Sequence, residues 1–234
     1  MCETCGCSDP ELVPVEIQES LLAGNDRAAA HNREHFAAAG VLTVNLMGSP
    51  GSGKTALLEA TASSTRSALR LAAMSGDLAT ERDGDRLKAA GIPALSITTG
   101  SACHLDAELV HRALHNLAWR EADLLVIENV GNLVCPAIYD LGQAVNVVAL
   151  AVTEGEDKPL KYPVMFRKAD LVLLTKVDLL PHLDVDVCAI EQALECTMPA
   201  CEMIRVSAKT GEGLDRWIEW LAERRQAPPK KTEA

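Results

Sequence analysis

The sequence lacks the excess of basic residues that would point to a nucleic acid partner. Its 234 residues include 22 lysines and arginines against 33 aspartates and glutamates, which gives a formal net charge of −11. No basic block offsets these carboxylates, so binding to a polyanion is disfavoured and cations are the more plausible partners.

The sequence also lacks a long apolar run and a basic leader. No apolar segment reaches the roughly 18 residues that a membrane-spanning helix needs. Met1-Cys2-Glu3 does not begin the basic and then apolar pattern of a secretory signal. We therefore expect a cytoplasmic protein with no membrane contact. In a reducing compartment, its eight cysteines are expected to be metal ligands, redox groups or buried thiols rather than disulfides.

What the sequence does contain is the glycine-rich segment Gly48-Ser49-Pro50-Gly51-Ser52-Gly53-Lys54-Thr55, between the apolar run Val41–Met47 and a predicted helix start. Strand, glycine-rich turn and helix in this order form a P-loop, whose backbone N–H groups surround nucleotide phosphates. Lys54 is expected to reach the β- and γ-phosphates and to act in catalysis, and Thr55 to ligate Mg²⁺. The predicted phosphate-binding residues are Gly48, Gly51, Ser52, Gly53, Lys54 and Thr55.

Near-continuous apolar runs follow the P-loop and alternate with helical patterns. This alternation predicts an α/β fold, a P-loop NTPase with a doubly wound, mostly parallel sheet and helices on both faces. The predicted division is a flexible cysteine-rich tail (1–14), a helical lead-in broken at Gly24-Asn25 (15–40), the nucleotide-binding domain (41–226) and a disordered end (227–234). The predicted later strands are Leu69–Met74, Ala94–Ile97, Leu124–Ile127, Val145–Val152, Leu171–Leu174 and Met203–Val206, and the predicted helices include Leu105–Trp119, Val187–Glu195 and Leu214–Arg225.

Two later segments favour a guanine base. Thr175-Lys176-Val177-Asp178 resembles the Asn-Lys-x-Asp motif of GTPases, in which the aspartate accepts from guanine N1–H and the exocyclic amine. Lys176 is expected to lie along the base. Ser207-Ala208-Lys209 resembles the last GTPase motif, where a backbone N–H meets guanine O6. Thr175 stands where the first motif usually has asparagine, so a loop contact made by that asparagine is open.

Three carboxylates follow predicted strands on the phosphate side. Glu128 is a candidate Mg²⁺ ligand, and Asp77 is a candidate for Mg²⁺ or for orienting the attacking water. Asp83 follows in a predicted switch loop as a second catalytic candidate. Each could instead be a helix cap or a solvated acid. No glutamine stands beside Gly131 to position water, so slow turnover is expected.

Cys103-His104 and Cys135 supply two thiols and an imidazole beside these loops, a donor set suited to Zn²⁺ or Ni²⁺. Three ligands leave one position for water or for a second subunit across a two-fold interface. The cysteines at 188, 196 and 201 have no histidine neighbour and are expected to be buried thiols.

Cys2, Cys5 and Cys7 form a second candidate site, in which three thiols and a free α-amine could hold Ni²⁺ in a plane. A redox pair or an incidental cluster is the alternative. Two histidine pairs also have metal-compatible i, i+4 spacing but no nearby thiol, so solvated helix faces are expected for both. These pairs are His31 with His35 and His111 with His115.

With these residues in view, the chain resembles the nickel-incorporating GTPases of [NiFe]-hydrogenase maturation. The resemblance runs from the P-loop to Gly213 and is carried by Gly76-Asp77, Cys103-His104-Leu105-Asp106, Glu128–Pro136 and the N-terminal Cys-x-x-Cys-Gly-Cys. It implies a metallochaperone that binds GTP, GDP and Mg²⁺ and dimerises on GTP. It also implies Ni²⁺ or Zn²⁺ on Cys103, His104 and Cys135, tight Ni²⁺ binding by the N-terminal cysteines, a nickel-binding accessory protein and a hydrogenase large-subunit precursor as recipient.

Other functions stay open. The related urease-maturation GTPases carry a Cys-Pro-His motif, whereas here Ala137 follows Cys135-Pro136. A regulatory GTPase with structural cysteines and an ATP-dependent enzyme are further alternatives. The histidine-rich storage stretch of some relatives is missing from the sequence, which argues against nickel storage.

Overall fold

A computed structural model describes residues 15–65, 69–100, 102–200 and 202–227, with side-chain surroundings from residue 22 onward. The predicted cysteine-rich tail and residues 228–234 lie outside this range. The strands are β1 (Leu42–Met47), β2 (Leu71–Asp77), β3 (Ala94–Thr98), β4 (Leu124–Glu128), β5 (Val145–Ala151), β6 (Leu171–Thr175) and β7 (Met203–Val206). The α-helices are α1 (Val15–Ala39), α2 (Lys54–Thr65), α3 (Arg82–Ala89), α4 (Ala107–Leu114), α5 (Lys158–Lys161), α6 (Pro163–Arg167), α7 (Val187–Thr197) and α8 (Leu214–Gln226).

The seven strands form one parallel sheet in the order β3-β2-β4-β1-β5-β6-β7. This arrangement confirms the predicted doubly wound α/β fold. β1 lies at the centre of the sheet, between β4 and β5. After β1 the chain builds β2, β3 and β4 on one side of it and then β5, β6 and β7 on the other side. In such sheets, ligands bind at the edge formed by the carboxyl ends of the strands, at the point where the strand order reverses. The P-loop after β1 and Glu128 at the end of β4 both lie at this edge.

Helices cover both faces because the strands are apolar on both. Helices α2, α3 and α8 pack on one face, where Leu57, Leu87 and Trp217 are at most 1% exposed. Helices α1, α4, α6 and α7 cover the other face. The Trp217 indole also donates to the hydroxyl of Thr61 at 3.1 Å, so its polar edge is satisfied inside the core.

The predicted break at Gly24-Asn25 is wrong, because α1 is one helix from Val15 to Ala39. Tertiary bonds offset the weak helix propensities of these two residues. The Asn25 amide donates to the carbonyl of Asp140 at 2.8 Å and accepts from the backbone N–H of Ala107 at 2.9 Å. Asn25 therefore fixes α1 against the start of α4.

The strand ends lie within three residues of the predicted ones, but one predicted helix is much shorter. The helix predicted over Leu105–Trp119 begins at Ala107, where the Asp106 carboxylate caps it by accepting from the N–H of Leu109 at 2.7 Å. It ends at Leu114, and Trp119–Glu121 forms a separate 3-10 turn. No helix among the described residues is long and apolar enough to cross a bilayer.

The carboxylate of Asp123, just before β4, ties two distant segments to the sheet. It accepts from the Arg70 side chain at 3.0 and 3.1 Å and from Arg225, at the end of α8, at 2.6 Å. The hydrogen bonds from Arg70, aided by the charge of Arg225, hold the pKa of Asp123 at about 2. Because the pKa of Asp123 is lower in the folded than in the unfolded state, the charged carboxylate stabilises the fold. This stabilisation is present above about pH 4 and is lost as pH falls towards 2.

Asp123→Asn is expected to lower the free energy of unfolding at pH 7 by about 1 to 2 kcal/mol, a range that allows for solvent screening of the exposed arginines. The difference from the wild type should shrink between pH 4 and pH 2. Urea unfolding at a series of pH values measures this, with the exposed Asp184→Asn as control. A difference that stays constant down to pH 2 would contradict the assignment.

Candidate functional site

The P-loop has the backbone conformation that its glycines permit. Gly51 and Gly53 have φ of +77° and +92°, in the left-handed region. Gly48, with φ of +149°, leaves no room for a side chain, since a Cβ would collide with the carbonyl oxygen of Ala149 on β5. The loop therefore lies directly on the edge of the sheet, and α2 begins at Lys54.

The Lys54 side chain, which is predicted to bind phosphate, is buried against the P-loop backbone. It is 6% exposed, and its Nζ donates to the carbonyls of Gly48 at 3.3 Å and Ser49 at 3.2 Å. Burial lowers the pKa of Lys54, while the nearby Glu128 carboxylate opposes that shift. Phosphate oxygens would be stronger acceptors than these carbonyls, so the ammonium group is placed to exchange them for a nucleotide.

Thr55 and Glu128 form the candidate magnesium site. The Thr55 hydroxyl donates to Oε1 of Glu128 at 2.8 Å. Burial raises the pKa of Glu128 to about 7, and its Oε2 is buried without a hydrogen-bond partner among the described residues. A buried carboxylate oxygen and a hydroxyl are the hard oxygen donors that Mg²⁺ prefers, so the residues present fit this ion.

Asp77 and Asp83 line one cavity of about 450 Å³, which Lys54, Thr55 and Glu128 also line. Asp77 Oδ1 accepts from the backbone N–H groups of Ala79 and Thr80 at 2.9 and 3.1 Å, which lowers its pKa. Asp83 lies in the first turn of α3 and not in the predicted switch loop. Helix formation is favoured there by the pairing of Asp83 with Arg86 at 3.3 Å.

Arg86 also lines this cavity, although no pattern in the sequence pointed to it. Its guanidinium donates to both oxygens of Glu59 on α2, at 3.0 and 2.7 Å, as well as to Asp83. A cation at this edge complements phosphate charge. There was little indication in the sequence of a role for Arg86, because an arginine three residues after an aspartate also fits an ordinary surface helix.

The candidate base site opens into a second cavity of about 750 Å³ lined by Lys176, Asp178, Ala208 and Lys209. The Ser207 hydroxyl donates to Oδ1 of Asp178 at 2.6 Å and accepts from the N–H groups of Lys209 and Thr210 at 3.2 Å. These bonds join the two predicted guanine motifs into one unit. Oδ2 of Asp178 has no hydrogen bond to another described residue and can accept from a base.

Thr175 supplies the loop contact that was left open. Its hydroxyl donates to the carbonyl of Ser52 at 2.6 Å and approaches that of Leu150 at 3.4 Å. The shorter side chain therefore still fastens the base-binding segment to the P-loop. Lys176 takes a left-handed conformation immediately after this anchor.

Cys103, His104 and Cys135 come together as predicted, with one ligand atom of each within 4.8 Å of the others. The two free thiol sulfurs are 2.9 Å apart, and Cys103 Sγ is 3.8 Å from His104 Nδ1. The hydrogen bond with Cys103 raises the pKa of Cys135, so a metal ion must displace a proton to bind there. His104 stacks on Tyr139, with ring centroids 3.8 Å apart, and burial lowers its pKa.

Two asparagines connect this cluster to the phosphate side, and the sequence analysis gave neither a role. The backbone of Asn132 forms a single antiparallel β-bridge with Gly48 of the P-loop. The side-chain Oδ1 of Asn132 accepts from the backbone N–H groups of Val134 and Cys135 at 2.8 and 3.4 Å. Asn129 accepts from the N–H of Leu105, next to His104, at 3.2 Å. Each asparagine thus holds the backbone beside one part of the metal cluster.

The remaining cysteines and histidines differ from expectation. The described isolated cysteines, Cys188 and Cys196, are exposed, because α7 turns its Ile190 and Leu194 face inward instead. The two histidine pairs do not occupy separate solvated faces but meet between α1 and α4, with ring centroids 4.4 to 5.6 Å apart. Cys2, Cys5, Cys7 and Cys201 lie outside the described residues.

This fold and these loops define a P-loop nucleoside triphosphate-binding protein with a candidate thiol and imidazole metal cluster beside its phosphate cavity. The sequence model of the family described as "CobW/HypB/UreG, nucleotide-binding domain" matches residues 42–204. The chain belongs to this family, and within it to the HypB hydrogenase maturation factors, as the resemblance predicted.

The relatives cover most of the chain. "Hydrogenase maturation factor HypB" of Azotobacter chroococcum mcd 1 is 51% identical over 91% of this chain and 70% of its own length. "Hydrogenase/urease maturation factor HypB" of Helicobacter pylori strain 26695 is 40% identical over 91% of this chain and 88% of its own. A crystal structure of HypB from Helicobacter pylori in complex with nickel matches with a TM-score of 0.86 and 39% identity, over 90% of this chain and 99% of that one.

Asn132→Ala is expected to weaken metal binding at Cys103, His104 and Cys135 by about tenfold, because it removes the acceptor that orients the Cys135 backbone. Nucleotide affinity should change little. Competition with a chromophoric chelator for Zn²⁺, in a chain that also carries Cys2, Cys5 and Cys7→Ala and His31→Gln, measures the first, and nucleotide titration the second. The exposed Asn116→Ala is the matched control, and unchanged Zn²⁺ affinity in Asn132→Ala would contradict the role given to Asn132.

Proposed function

We propose that this protein is a GTP-hydrolysing nickel metallochaperone that delivers Ni²⁺ during [NiFe]-hydrogenase maturation. The observation that carries the proposal is the backbone bridge from Gly48 of the P-loop to Asn132, whose side chain holds Cys135. A loop that moves with the γ-phosphate would displace a ligand of the bound metal. GTP hydrolysis would thereby be coupled to metal release.

In this proposal the P-loop and Lys54 hold the triphosphate. Thr55 and Glu128, with Asp77 as a further candidate, would hold Mg²⁺, which would supply charge neutralisation at the phosphates. Asp178, joined to Ser207, accepts from the guanine N–H groups, a pattern that adenine cannot supply. Asp77 and Asp83 line the cavity and are candidates for orienting water. Without a glutamine beside Gly131, hydrolysis is slow.

Nickel is the cargo in this scheme. Cys103, His104 and Cys135 offer two sulfurs and one nitrogen to Ni²⁺ or Zn²⁺ and leave a position for a transfer partner. The N-terminal thiols Cys2, Cys5 and Cys7 are proposed as a tight Ni²⁺ site. The crystal structure of the Helicobacter pylori relative in complex with nickel supports the choice of metal.

The proposed partners are a second copy of the chain on GTP binding, a nickel-binding accessory protein and the hydrogenase large-subunit precursor, all in the cytoplasm. Exposed apolar residues next to the metal cluster support a protein contact there: Val134 is 46% and Ile138 44% exposed, on either side of Cys135. A protein docked at this surface could add the missing metal ligand.

Urease maturation is a second candidate because the Helicobacter pylori relative is described as a hydrogenase/urease maturation factor. Ala137 in place of histidine after Cys135-Pro136 argues for the hydrogenase route in this chain. Apo-urease is therefore a second acceptor to include in the test, and it is expected to receive less nickel.

The test is nickel transfer from protein loaded with one equivalent of Ni²⁺ to an apo hydrogenase large-subunit precursor, with GTP, ATP or a non-hydrolysable GTP analogue. GTP alone should drive transfer. Asp178→Asn should need about 10 to 100 times more GTP, since a hydrogen bond to a charged acceptor contributes about 1.5 to 3 kcal/mol. Asp184→Asn is the matched control. Equal transfer with ATP would refute guanine selection.

The same assay separates a chaperone from a regulatory GTPase. Cys103→Ser with Cys135→Ser should keep GTP hydrolysis but lose transfer, and the mass in solution should rise from monomer to dimer with the GTP analogue. Full transfer by this double variant would show that the cysteines beside the phosphate cavity do not carry the delivered ion.

A further inference from the structure

Four histidines gather on the surface between α1 and α4, away from the thiol cluster. His31 and His35 lie one turn apart on α1, with their Nε2 atoms 3.0 Å apart. His111 of α4 faces them, with its ring centroid 4.9 Å from that of His31 and 5.6 Å from that of His35. His115 stands edge-on to His111 at 5.2 Å. Residues far apart in sequence thus converge on one point.

We propose that His31, His35 and His111 form a second metal site, which binds a borderline divalent cation such as Ni²⁺ or Zn²⁺ through three imidazole nitrogens. One ring nitrogen of each residue lies within 4.8 Å of the others. A tetrahedral ion with metal–nitrogen distances of about 2.0 to 2.1 Å places its ligands about 3.3 Å apart. The Nε2 atoms of His31 and His35, 3.0 Å apart, are already close to this spacing.

The orientation of His111 is fixed by a buried asparagine. The Asn32 amide nitrogen donates to the carbonyls of Ala107 at 2.8 Å and Leu141 at 3.2 Å, so its Oδ1 is the acceptor. His111 Nδ1, which lies 2.9 Å from that oxygen, must therefore carry the proton. The lone pair is left on Nε2. An imidazole whose other nitrogen donates to a protein oxygen is the usual arrangement of a histidine metal ligand.

The three nitrogen donors also determine which kind of ion the cluster suits. Neutral imidazoles suit Ni²⁺, Zn²⁺ and Cu²⁺ among the divalent ions. Hard ions that prefer oxygen, such as Mg²⁺, are disfavoured here.

This site is independent of GTP hydrolysis and of nickel delivery. It shares no ligand with the thiol cluster, and its residues lie on α1 and α4 rather than on the phosphate loops. Both sites nevertheless flank the same short helix, since His104 precedes α4 and His111 is part of it. Asn25 and Asn32 bind the backbone of Ala107 at the start of that helix.

The experiment uses the full chain with its other candidate ligands removed by serine at Cys2, Cys5, Cys7, Cys103 and Cys135. Calorimetric titration with Ni²⁺ or Zn²⁺ is expected to show one bound ion. Substitution by Co²⁺ should give a spectrum without thiolate charge transfer. His31→Gln and His111→Gln should each lower affinity at least tenfold, whereas the exposed His182→Gln should leave it within twofold.

Each other result overturns the proposal. If the five-serine chain binds no ion, there is no histidine site. If His31→Gln weakens binding but a folded His111→Gln, checked by circular dichroism, does not, the ion is held by one helix alone. If His182→Gln weakens binding as much as His31→Gln, the ion is bound by surface imidazoles without a built site. GTP hydrolysis by His31→Gln should equal that of the parent, which separates this proposal from the proposed function.

Discussion

The contact on which the site depends is the one between the P-loop and the segment that follows β4. A Cβ on Gly131 would lie 2.9 Å from the ring and backbone nitrogen of Pro50, so the two backbones pass too closely for any side chain between them. One residue later, Asn132 bridges to Gly48. This close contact and the bridge are the places where a movement of the phosphate loop, as the proposed function requires, would reach the segment that carries Cys135.

A row of three asparagines, two of them buried, joins that segment to the central strands. Asn129 accepts from Leu105 and donates to Asn45 of β1 at 3.1 Å, and Asn45 donates to Asn146 of β5 at 3.0 Å. The row crosses three adjacent strands where an apolar core would be expected. Amides of this kind demand partners in specific places, so they fix the position of the segment after β4 relative to the central strands.

Much of the fold was predictable because the strands are apolar throughout and the P-loop has a strict spacing. The P-loop conformation was predictable for the same reason, whereas guanine selection by the two later segments stays a prediction. Individual side-chain roles were less so. Asp83 was assigned to a loop because it follows Asp77 closely, and its i, i+3 pairing with Arg86, which favours the helix, looks like any surface pair. The unbroken course of α1 depends on Asn25 contacts with residues about 80 and 115 positions away.

The two candidate metal-binding clusters also differed in how far the sequence predicted them. Cys103, His104 and Cys135 could be grouped because each adjoins a loop at the carboxyl edge of the sheet. The histidines of α1 and α4 could not, since only the packing of the two helices shows that they face each other. Asn129 and Asn132 were missed because a positioning asparagine has no spacing signal.

The measurement that tests the account most directly is the Ni²⁺ affinity of the Cys103, His104 and Cys135 site with GDP and with a non-hydrolysable GTP analogue. A chain carrying Cys2, Cys5 and Cys7→Ala and His31→Gln isolates this site from the other candidates. The account predicts affinities that differ by about fivefold or more, the usual range for coupling between two sites. Equal affinities in the two nucleotide states would contradict it.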